Sequence, residues 1–550
     1  MASVNSSASA ASSGKPMDPV TLNAMRYSLS PKEYQLLHKY LLARTPVVQK
    51  KAPPPAKYER VVESSDDFNA STVRIALRLF GASYGGLKLW ETLAPMIFAR
   101  GKTLPVVKKP PFWKQTSVRL SASLSLILLF HRLLNRFLVR LRSSLLTDNA
   151  KPFRGRNPRI SAALTSKLAP VIGSGLAGLF LGVYPAAQLR ITITLYMFTR
   201  SLEFFYNYIE DLGYMKDRPW WFGSWLLMPA SCGQLLHAFV FDRDCFPASY
   251  GNLIIGNSKT YLQGRPIDYP ANFKWPTTPD IVDSLAEISR LKWPIFVSPS
   301  MFPNSTTLPK SLAAINPITS PAHPTIKNLS CALTHPHDPS CVRTYLQFFL
   351  EAFPGIVRYF SILIGAFSLL RIQAFIKTPI PAFSRLAQVI LRNSIFVTGA
   401  IGTAWGSICL FQNIMPNKVL PTKRWILGGA LGGMWAFIDR KNGRGNFLFS
   451  TRLSLDSMWK VGVKHGWWKG VRDGDVLLFT ASLVAMQVIY ELDPKAVNSP
   501  MIRKTLSLFR GDGFIDRAMA VIPPPAVLQE RDAKQQSEPL LEKDESKKTA

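Results

Sequence analysis

The sequence contains one compact group of side chains that could bind a metal ion. Cys331, His335, His337 and Cys341 lie within eleven residues, and two thiolates with two imidazoles satisfy the ligand count of a tetrahedral zinc site. The spacing is tighter than in common zinc fingers, and Pro336 restricts how both histidines can turn inward. Three interpretations stay open: a zinc site, a disulfide between Cys331 and Cys341 in an oxidising compartment, or a proline-rich turn with reduced cysteines. Zinc is the only cofactor that the sequence indicates.

Two pairs of opposite charges lie in two amphipathic segments. Arg200 and Glu203 are three residues apart, and Arg452 and Asp456 are four apart, so each pair can meet on one helix face. Ionisable groups at membrane depth usually face the bundle interior or water. The four residues are therefore candidates for lining a polar pathway. The alternative, in which both helices lie at the membrane surface with solvated charges, fits the sequence equally well.

Basic residues are concentrated in residues 101–168, which carry 14 Lys and Arg against one acid. Arg132, Arg136 and Arg140 recur every four residues among leucines and phenylalanines, which predicts a basic amphipathic helix. Each such residue gains about 1 kcal/mol near an anionic membrane surface. We predict that these arginines contact anionic lipid headgroups. Nucleic acid is not expected as a partner, because no binding module is recognisable.

Catalytic motifs are missing from the sequence. It has no Gly-x-Ser-x-Gly elbow, no His-Glu-x-x-His and no phosphate-binding loop. His131 and His237 lie in apolar segments, where histidines are more often packing residues than catalysts. We therefore expect that the protein is not an enzyme, and we predict no catalytic residue.

Three apolar runs are long enough to cross a membrane: residues 168–189, 219–241 and 393–417. About 20 such residues span a hydrocarbon core of about 30 Å. Two shorter uncharged runs cover residues 425–438 and 476–490. With 47% hydrophobic and only 18% charged residues among 550, these runs predict an all-α, polytopic helical membrane protein.

Glycines recur inside the apolar runs, several of them four residues apart. They are Gly173, Gly175, Gly178, Gly182, Gly402, Gly406, Gly428, Gly429, Gly432 and Gly433. Without a Cβ atom, helix backbones can approach each other closely. We predict that these glycines serve helix packing rather than a pathway.

Two segments of the chain repeat the same pattern. Leu77, Phe80, Tyr84, Gly86 and Trp90 match Leu346, Phe349, Phe353, Gly355 and Tyr359. A second match follows in the same order, between residues 225–231 and 476–482. We predict two internal repeats, residues 73–245 and 342–492, each with an aromatic helix, a second helix, a small-residue helix, an amphipathic helix carrying an acid, and a final apolar helix.

The other segments flank these repeats. Residues 1–72 are predicted to be mostly disordered, with a short amphipathic helix that starts at Ser30 and Pro31. Residues 246–341 are rich in Pro and Ser and predict a loop outside the membrane that ends in the Cys/His motif. Residues 493–550 are predicted as a C-terminal tail.

Three features together resemble the transmembrane protein 135 family. They are the segment from Cys331 to Cys341, the aromatic helix that follows it, and Gly-Val-Arg-Asp-Gly-Asp-Val-Leu-Leu-Phe at residues 470–479. This family is related to the inner-mitochondrial-membrane translocase and peroxisomal membrane protein group. The glycine-zipper helices of that group match residues 173–182 and 428–433 of this chain. The resemblance covers about residues 331 to 492. It implies a multi-pass peroxisomal or mitochondrial membrane protein linked to lipid metabolism and organelle dynamics, without a defined reaction.

Two functions are open at this point. In the first, the repeats form a polar path for transport or translocation, lined by Arg200, Glu203, Arg452 and Asp456. In the second, the protein is a membrane scaffold that recruits protein partners through the basic segment and the central loop. The sequence predicts no oligomeric state.

Overall fold

The computed structural model describes residues 19–41, 54–63, 68–98, 110–215, 217–270, 272–303, 308–369 and 372–519. Every regular element in these ranges is a helix, and extended pairing is limited to one bridge between Ile295 and Asn328. The predicted all-α class is confirmed. The stretches predicted as disordered at residues 1–18 and 520–550 lie outside the described residues.

The chain divides into two compact units. The first unit contains the described residues before Asp217 and from Arg472 onward, and the second contains residues 217–471. The N-terminal part of the first unit has α1 (Pro19–Ser28), α2 (Pro31–Tyr40), α3 (Pro55–Glu63), α4 (Phe68–Phe98), α5 (Thr116–Leu146), α6 (Lys151–Arg156), α7 (Pro158–Thr165), α8 (Ala169–Gly175) and α9 (Gln188–Asp211).

The described residues of the second unit contain ten α-helices. They are α10 (Leu227–Phe241), α11 (Ala248–Gly256), α12 (Thr278–Arg290), α13 (Asn316–Thr319), α14 (Leu329–Thr334), α15 (Cys341–Leu369), α16 (Ile372–Lys377), α17 (Pro379–Ile414), α18 (Arg424–Gly433) and α19 (Arg444–Lys464). The chain then returns to the first unit with α20 (Gly474–Leu492) and α21 (Pro500–Arg510).

Five helices in the described residues are long and apolar enough to cross a membrane. They are α5, α15, α17, α20 and the range Ser224–Phe241, which contains α10. A sixth span results if α7 and Ala169–Val183, which meet at an angle of 84°, count as one broken span. These helices indicate an integral membrane protein.

Two predicted apolar helices differ from a continuous α-helix. In residues 168–189, α8 ends at Gly175, a 3₁₀ helix continues to Val183, and α9 begins only at Gln188. The residue before a proline is disfavoured in the α conformation, and Pro185 lies at this break. In residues 425–438, α18 likewise gives way to a 3₁₀ helix, Met434–Asp439. Both apolar segments are therefore helical but change from α to 3₁₀ geometry along their length.

Two apolar helices, α10 and α20, lie in other units than the predicted segments imply. In the first unit, α5 packs against α4 and α8, and α9 packs against α20. In the second unit, α17 packs against α15 and α18, and α10 packs against α18 and α19. The unit boundaries therefore differ from the predicted segments 73–245 and 342–492, because α10 and α20 each lie in the unit formed by the other segment's helices.

The segment predicted as a central loop, residues 246–341, is folded around apolar side chains. Its α12 begins with a capping box between Thr277 and Asp280, and Ile281, Leu285 and Trp293 are at most 1% exposed. Ile281, Leu285 and Ile288 of α12 lie at helical spacing, so a short amphipathic pattern inside the segment did mark this helix.

The N- and C-terminal segments contribute further helices to the first unit. As predicted, Ser30 caps α2, and its hydroxyl accepts a hydrogen bond from the Glu33 N–H while Glu33 accepts one from Ser30. The predicted tail contains α21, which packs against α5 and α20. Arg510 Nε donates to the Gln487 side chain at 2.9 Å, so this part of the tail belongs to the folded unit.

Candidate metal centre

Three helices of the second unit bring one histidine and three cysteines together. Cys331 lies on α14, and His335 follows the end of that helix; the two are four residues apart, and the His335 N–H donates to the Cys331 carbonyl at 2.8 Å. Cys341 is the first residue of α15, and Cys409 lies near the end of α17. The site is therefore located where the central segment meets two candidate membrane spans.

The ligand atoms have the spacing of a tetrahedral zinc site. All four lie within 4.8 Å of one another. Cys331 Sγ is 3.6 Å from Cys409 Sγ and 3.9 Å from Cys341 Sγ, and His335 Nε2 is 3.3 Å from Cys409 Sγ. A tetrahedron with Zn–S distances of about 2.3 Å has edges of about 3.8 Å. Cys331, His335, Cys341 and Cys409 could hold a metal ion such as zinc.

The orientation of the His335 ring favours ligation through Nε2. Its Nδ1 lies 2.7 Å from the Asp338 carbonyl oxygen. A carbonyl can only accept, so Nδ1 carries a proton and donates it in this bond. Metal-binding histidines commonly make such a bond through their other ring nitrogen, which fixes the tautomer and the ring plane. The Nε2 lone pair of His335 is thereby available to a metal.

Three of the four side chains are almost fully buried, and their contacts favour a protonated imidazole beside thiolates. Cys331, His335 and Cys409 are each 4% exposed. Burial lowers the pKa of His335, but hydrogen bonds with the Cys331 and Cys341 thiols outweigh it and raise the pKa to about 10. A bound cation would take over the role of this proton, because zinc binds thiolates and neutral imidazole.

The predicted ligand set agrees in three residues and differs in the fourth. His337 is exposed and lines a surface pocket with Pro336 and Asn316, outside the cluster. The disulfide interpretation does not match the geometry either, since Cys331 and Cys341 are free thiols and their 3.9 Å separation far exceeds the S–S bond of about 2.05 Å.

Cys409 is the functional residue that sequence reasoning missed. It follows Cys341 by 68 positions and lies in an apolar helix, where a single cysteine resembles an ordinary buried packing residue. Only its partners distinguish it. An unpaired cysteine at the end of a span that follows a Cys/His motif is the signal that could have identified it.

The charged pairs predicted to line a pathway lie in different units. In the first unit, Glu203 forms an ion pair with Arg200 at 2.6 Å and accepts a hydrogen bond from the Asn498 side chain at 3.1 Å. In the second unit Asp456 pairs with Lys460 at 2.8 Å, and the guanidinium of Arg452 lies 5.7 Å from the centre of the Phe449 ring. Each pair is therefore satisfied within its own unit.

A buried arginine connects α9 to the start of α20. Arg190 is 4% exposed, and its guanidinium contacts both Asp475 oxygens, at 2.6 and 2.9 Å, and Asp473 at 2.9 Å. Thr194 adds a bond from its hydroxyl to the Asp475 carbonyl at 3.2 Å. This seam between an amphipathic helix and a candidate span was not predicted from the sequence.

The second unit has a polar seam at the equivalent pair of helices, α10 and α19. The Gln234 amide donates to Ser457 Oγ at 3.1 Å and accepts from Ser454 Oγ at 3.1 Å. Ser231 and Thr451 are linked through their hydroxyls at 3.3 Å. Polar side chains thus line up between a candidate span and an amphipathic helix in both units.

The predicted packing glycines lie at close helix contacts in most cases. A Cβ at Gly429 would be 2.3 Å from the Cys232 carbonyl oxygen, and one at Gly433 would be 2.6 Å from Pro229 Cα. Such a Cβ would also come within 3.0 Å of another residue at Gly173, Gly175, Gly178, Gly402, Gly406, Gly428 and Gly432. Gly182 differs, because its nearest neighbour would be 3.9 Å away.

The three arginines predicted at the lipid surface have different environments. Arg132 is 4% exposed and lies against the Phe68 ring, 5.4 Å from its centre, and Arg136 approaches the same ring at 4.3 Å. Arg140 is exposed. Arg132 is therefore buried against α4, which packs on α5, and of the three only Arg140 is exposed in the described residues.

No family model, curated protein or solved structure matches this chain. The resemblance of the motifs to the transmembrane protein 135 family therefore stays a prediction, as does the organelle.

Proposed function

We propose that this integral membrane protein takes part in transport or translocation linked to lipid metabolism and organelle dynamics, in a peroxisomal or mitochondrial membrane. We further propose that it belongs to the transmembrane protein 135 family. The observation that carries the transport function is the polar seam present in each unit, between α9 and α20 and between α10 and α19. Polar groups are rare along membrane-spanning helices and commonly mark the route of a polar or charged group.

Two internal repeats account for the occurrence of the seam in both units. The first repeat supplies α4, α5, α8 and α9 to one unit, and the second supplies α15, α17, α18 and α19 to the other. The last apolar helices, α10 and α20, are exchanged between them. The third helix of each repeat begins as an α-helix and ends as a 3₁₀ helix, which supports a common origin.

A structural zinc ion completes this proposal. Bound to Cys331, His335, Cys341 and Cys409, it would fasten the folded central segment to the ends of α15 and α17. A closed set of four protein ligands is typical of structural rather than catalytic zinc, which keeps one position open for water. This role agrees with a protein that is not an enzyme. Within α5, Arg140 is the exposed residue of the three arginines predicted at the lipid surface, and we propose that it contacts anionic headgroups.

Transport can be tested with the purified full-length chain in liposomes that contain a fluorescent phospholipid and an entrapped anionic dye. Native protein should accelerate either transbilayer movement of the lipid or release of the dye. The double variant Glu203→Gln with Asp456→Asn should lower that rate at least tenfold, because it removes a buried charge from the amphipathic helix beside each seam, α9 and α19. Asp283→Asn, at a position 67% exposed, is the matched control. Native protein without activity, or equal rates for native and double variant, would rule out this function.

A scaffold is the second candidate, and exposed apolar side chains in the central segment favour it. Ile267, Phe273 and Met301 are 101%, 64% and 62% exposed and lie outside the candidate spans. Ile267 and Phe273 lie six residues apart in the chain, and large exposed apolar side chains such as these are candidate contacts for a protein partner. Proximity labelling in cells should lose specific partners when Ile267 and Phe273 are changed to serine. An unchanged partner set would count against the scaffold.

A further inference from the structure

The second unit contains an apolar cavity of about 110 Å³ between α10, α11, α17 and α18. Its walls include Leu235, Phe239, Phe396, Ile401 and Trp405. The cavity lies apart from the metal centre, none of whose ligands line it. It also plays no part in the polar seam.

Backbone contacts keep this cavity open. Gly429 and Gly432 of α18 form part of its wall without side chains. A Cβ at Gly432 would be 2.7 Å from the Ala400 carbonyl, and one at Gly429 would be 2.3 Å from the Cys232 carbonyl. Because α18 already touches the backbones of α17 and α10, these helices cannot close the space by moving together.

The lining is suited to hydrocarbon and unsuited to water. Its polar side-chain groups are the Cys232 thiol, the Tyr250 hydroxyl and the indole N–H groups of Trp405 and Trp425. Tyr250 already bonds Ser450 at 2.8 Å and Trp405 donates to Ser258 at 2.8 Å, which leaves too few polar partners to hold a water. A buried water needs two to four polar partners, whereas apolar cavities stay dry and accept hydrocarbon. A cavity of about 150 Å³ holds a benzene ring, so this one accommodates about four or five carbon atoms. The fused rings of a sterol are too large for it.

Access to the cavity is from the sides of candidate membrane spans. Leu236, Leu253, Val397 and Ala404 line it and are only partly buried. Two of these side chains belong to α17, and one belongs to α10, and both helices are candidate spans. Hydrocarbon chains surround such helices in a bilayer.

We propose that this cavity binds the terminal carbons of one unbranched hydrocarbon chain, from either a free fatty acid or a phospholipid. The inference rests on the proposed lipid-linked function and names its ligand class. Binding of the hydrocarbon chain is measured separately from transport. Binding without lipid or dye movement would refute only the transport function, and movement without binding would refute only the binding of a hydrocarbon chain in this cavity.

The test uses the purified full-length chain and photoreactive lipids. One fatty acid carries a diazirine near its methyl end, a second carries it near the carboxyl group, and a phospholipid and a sterol probe are run beside them. The methyl-end fatty acid or the equivalent phospholipid should label peptides of α10 and α17 that contain cavity residues. Excess unlabelled hexadecanoic acid should reduce this labelling at least tenfold, a readout that requires no variant.

Ala404→Phe fills the cavity and should also reduce labelling at least tenfold. Ala387→Phe is the matched control, because Ala387 lies exposed on the same helix and outside the cavity. Labelling by the fatty acid or by the phospholipid identifies the source of the chain. Equal labelling of the two variants, stronger labelling from the carboxyl end, labelling by the sterol alone, or the lack of competition would each overturn the proposal.

Discussion

The substitution Cys409→Ser provides the sharpest test of the metal centre, because this ligand comes from α17 and not from the Cys331–Cys341 motif. Structural zinc contributes about 10–16 kcal/mol of apparent binding free energy at neutral pH. Divided among four ligands, this is about 2.5–4 kcal/mol for each, which corresponds to a loss of about 70- to 1,000-fold in zinc affinity. The serine hydroxyl retains the size of the side chain but is a poor zinc ligand, so the loss should approach this range.

The assay is the zinc content of the purified full-length chain, measured by mass spectrometry before and after competition with a graded series of chelators. Native protein should contain one zinc per chain and release it only to the strongest chelator. Cys409→Ser should release zinc to chelators at least 70-fold weaker. Two controls should match the native chain: His337→Ala, at the exposed position that the motif suggested, and Cys245→Ser, at a buried thiol outside the cluster.

Three results would refute this reasoning. A native chain without zinc would remove the metal centre itself. Equal zinc retention by native protein and Cys409→Ser would show that α17 does not supply a ligand. Loss of zinc in His337→Ala but not in Cys409→Ser would restore the ligand set suggested by the motif alone.

Three further perturbations test the packing around these sites. Gly429→Val should lower the free energy of unfolding in detergent by about 1–3 kcal/mol through overpacking, whereas Gly445→Val, with no neighbour within 4 Å, should cost less; equal midpoints of thermal unfolding would contradict this. Arg190→Met should destabilise the first unit by about 2–3 kcal/mol, because it leaves the partly buried Asp475 without its partner, while Arg472→Met at a 99% exposed position should be neutral. A second change, Asp475→Asn, should restore part of the free energy of unfolding that Arg190→Met removes. No such recovery in the same unfolding assay would argue against the ion pair. Removal of zinc by a strong chelator should make the thiols of the metal centre react with maleimide at least tenfold faster, and unchanged labelling would contradict the metal's protective role.

Local sequence patterns predicted the parts of the fold that depend on residues close together in the chain. Membrane character followed from apolar runs, because the span of a bilayer demands about 20 apolar residues in succession. The start of α2 followed from Ser30 and Glu33, whose mutual hydrogen bonds join residues three positions apart. Cys331, His335 and Cys341 were identified for the same reason, as ligands close together in the chain.

Contacts between residues far apart in the chain decided the parts of the fold that the sequence did not predict. The folding of residues 246–341 depends on apolar side chains such as Trp293, whose indole N–H donates to the Pro421 carbonyl 128 positions away. The breaks after α8 and α18 depend on how glycine-rich segments fit against neighbouring backbones. Contacts between residues so far apart in the chain do not appear as a periodicity within a short window.

The sequence by itself determined that this is a helical membrane chain with a cysteine and histidine motif, because helix period, span length and ligand chemistry are properties of local composition. Only the tertiary structure decided that Cys409 joins the motif in place of His337, that α10 lies in the unit of residues 217–471, and that α20 lies with the helices before Asp217. These outcomes depend on which helices become neighbours in space, and that choice is made by the packing of many side chains at once.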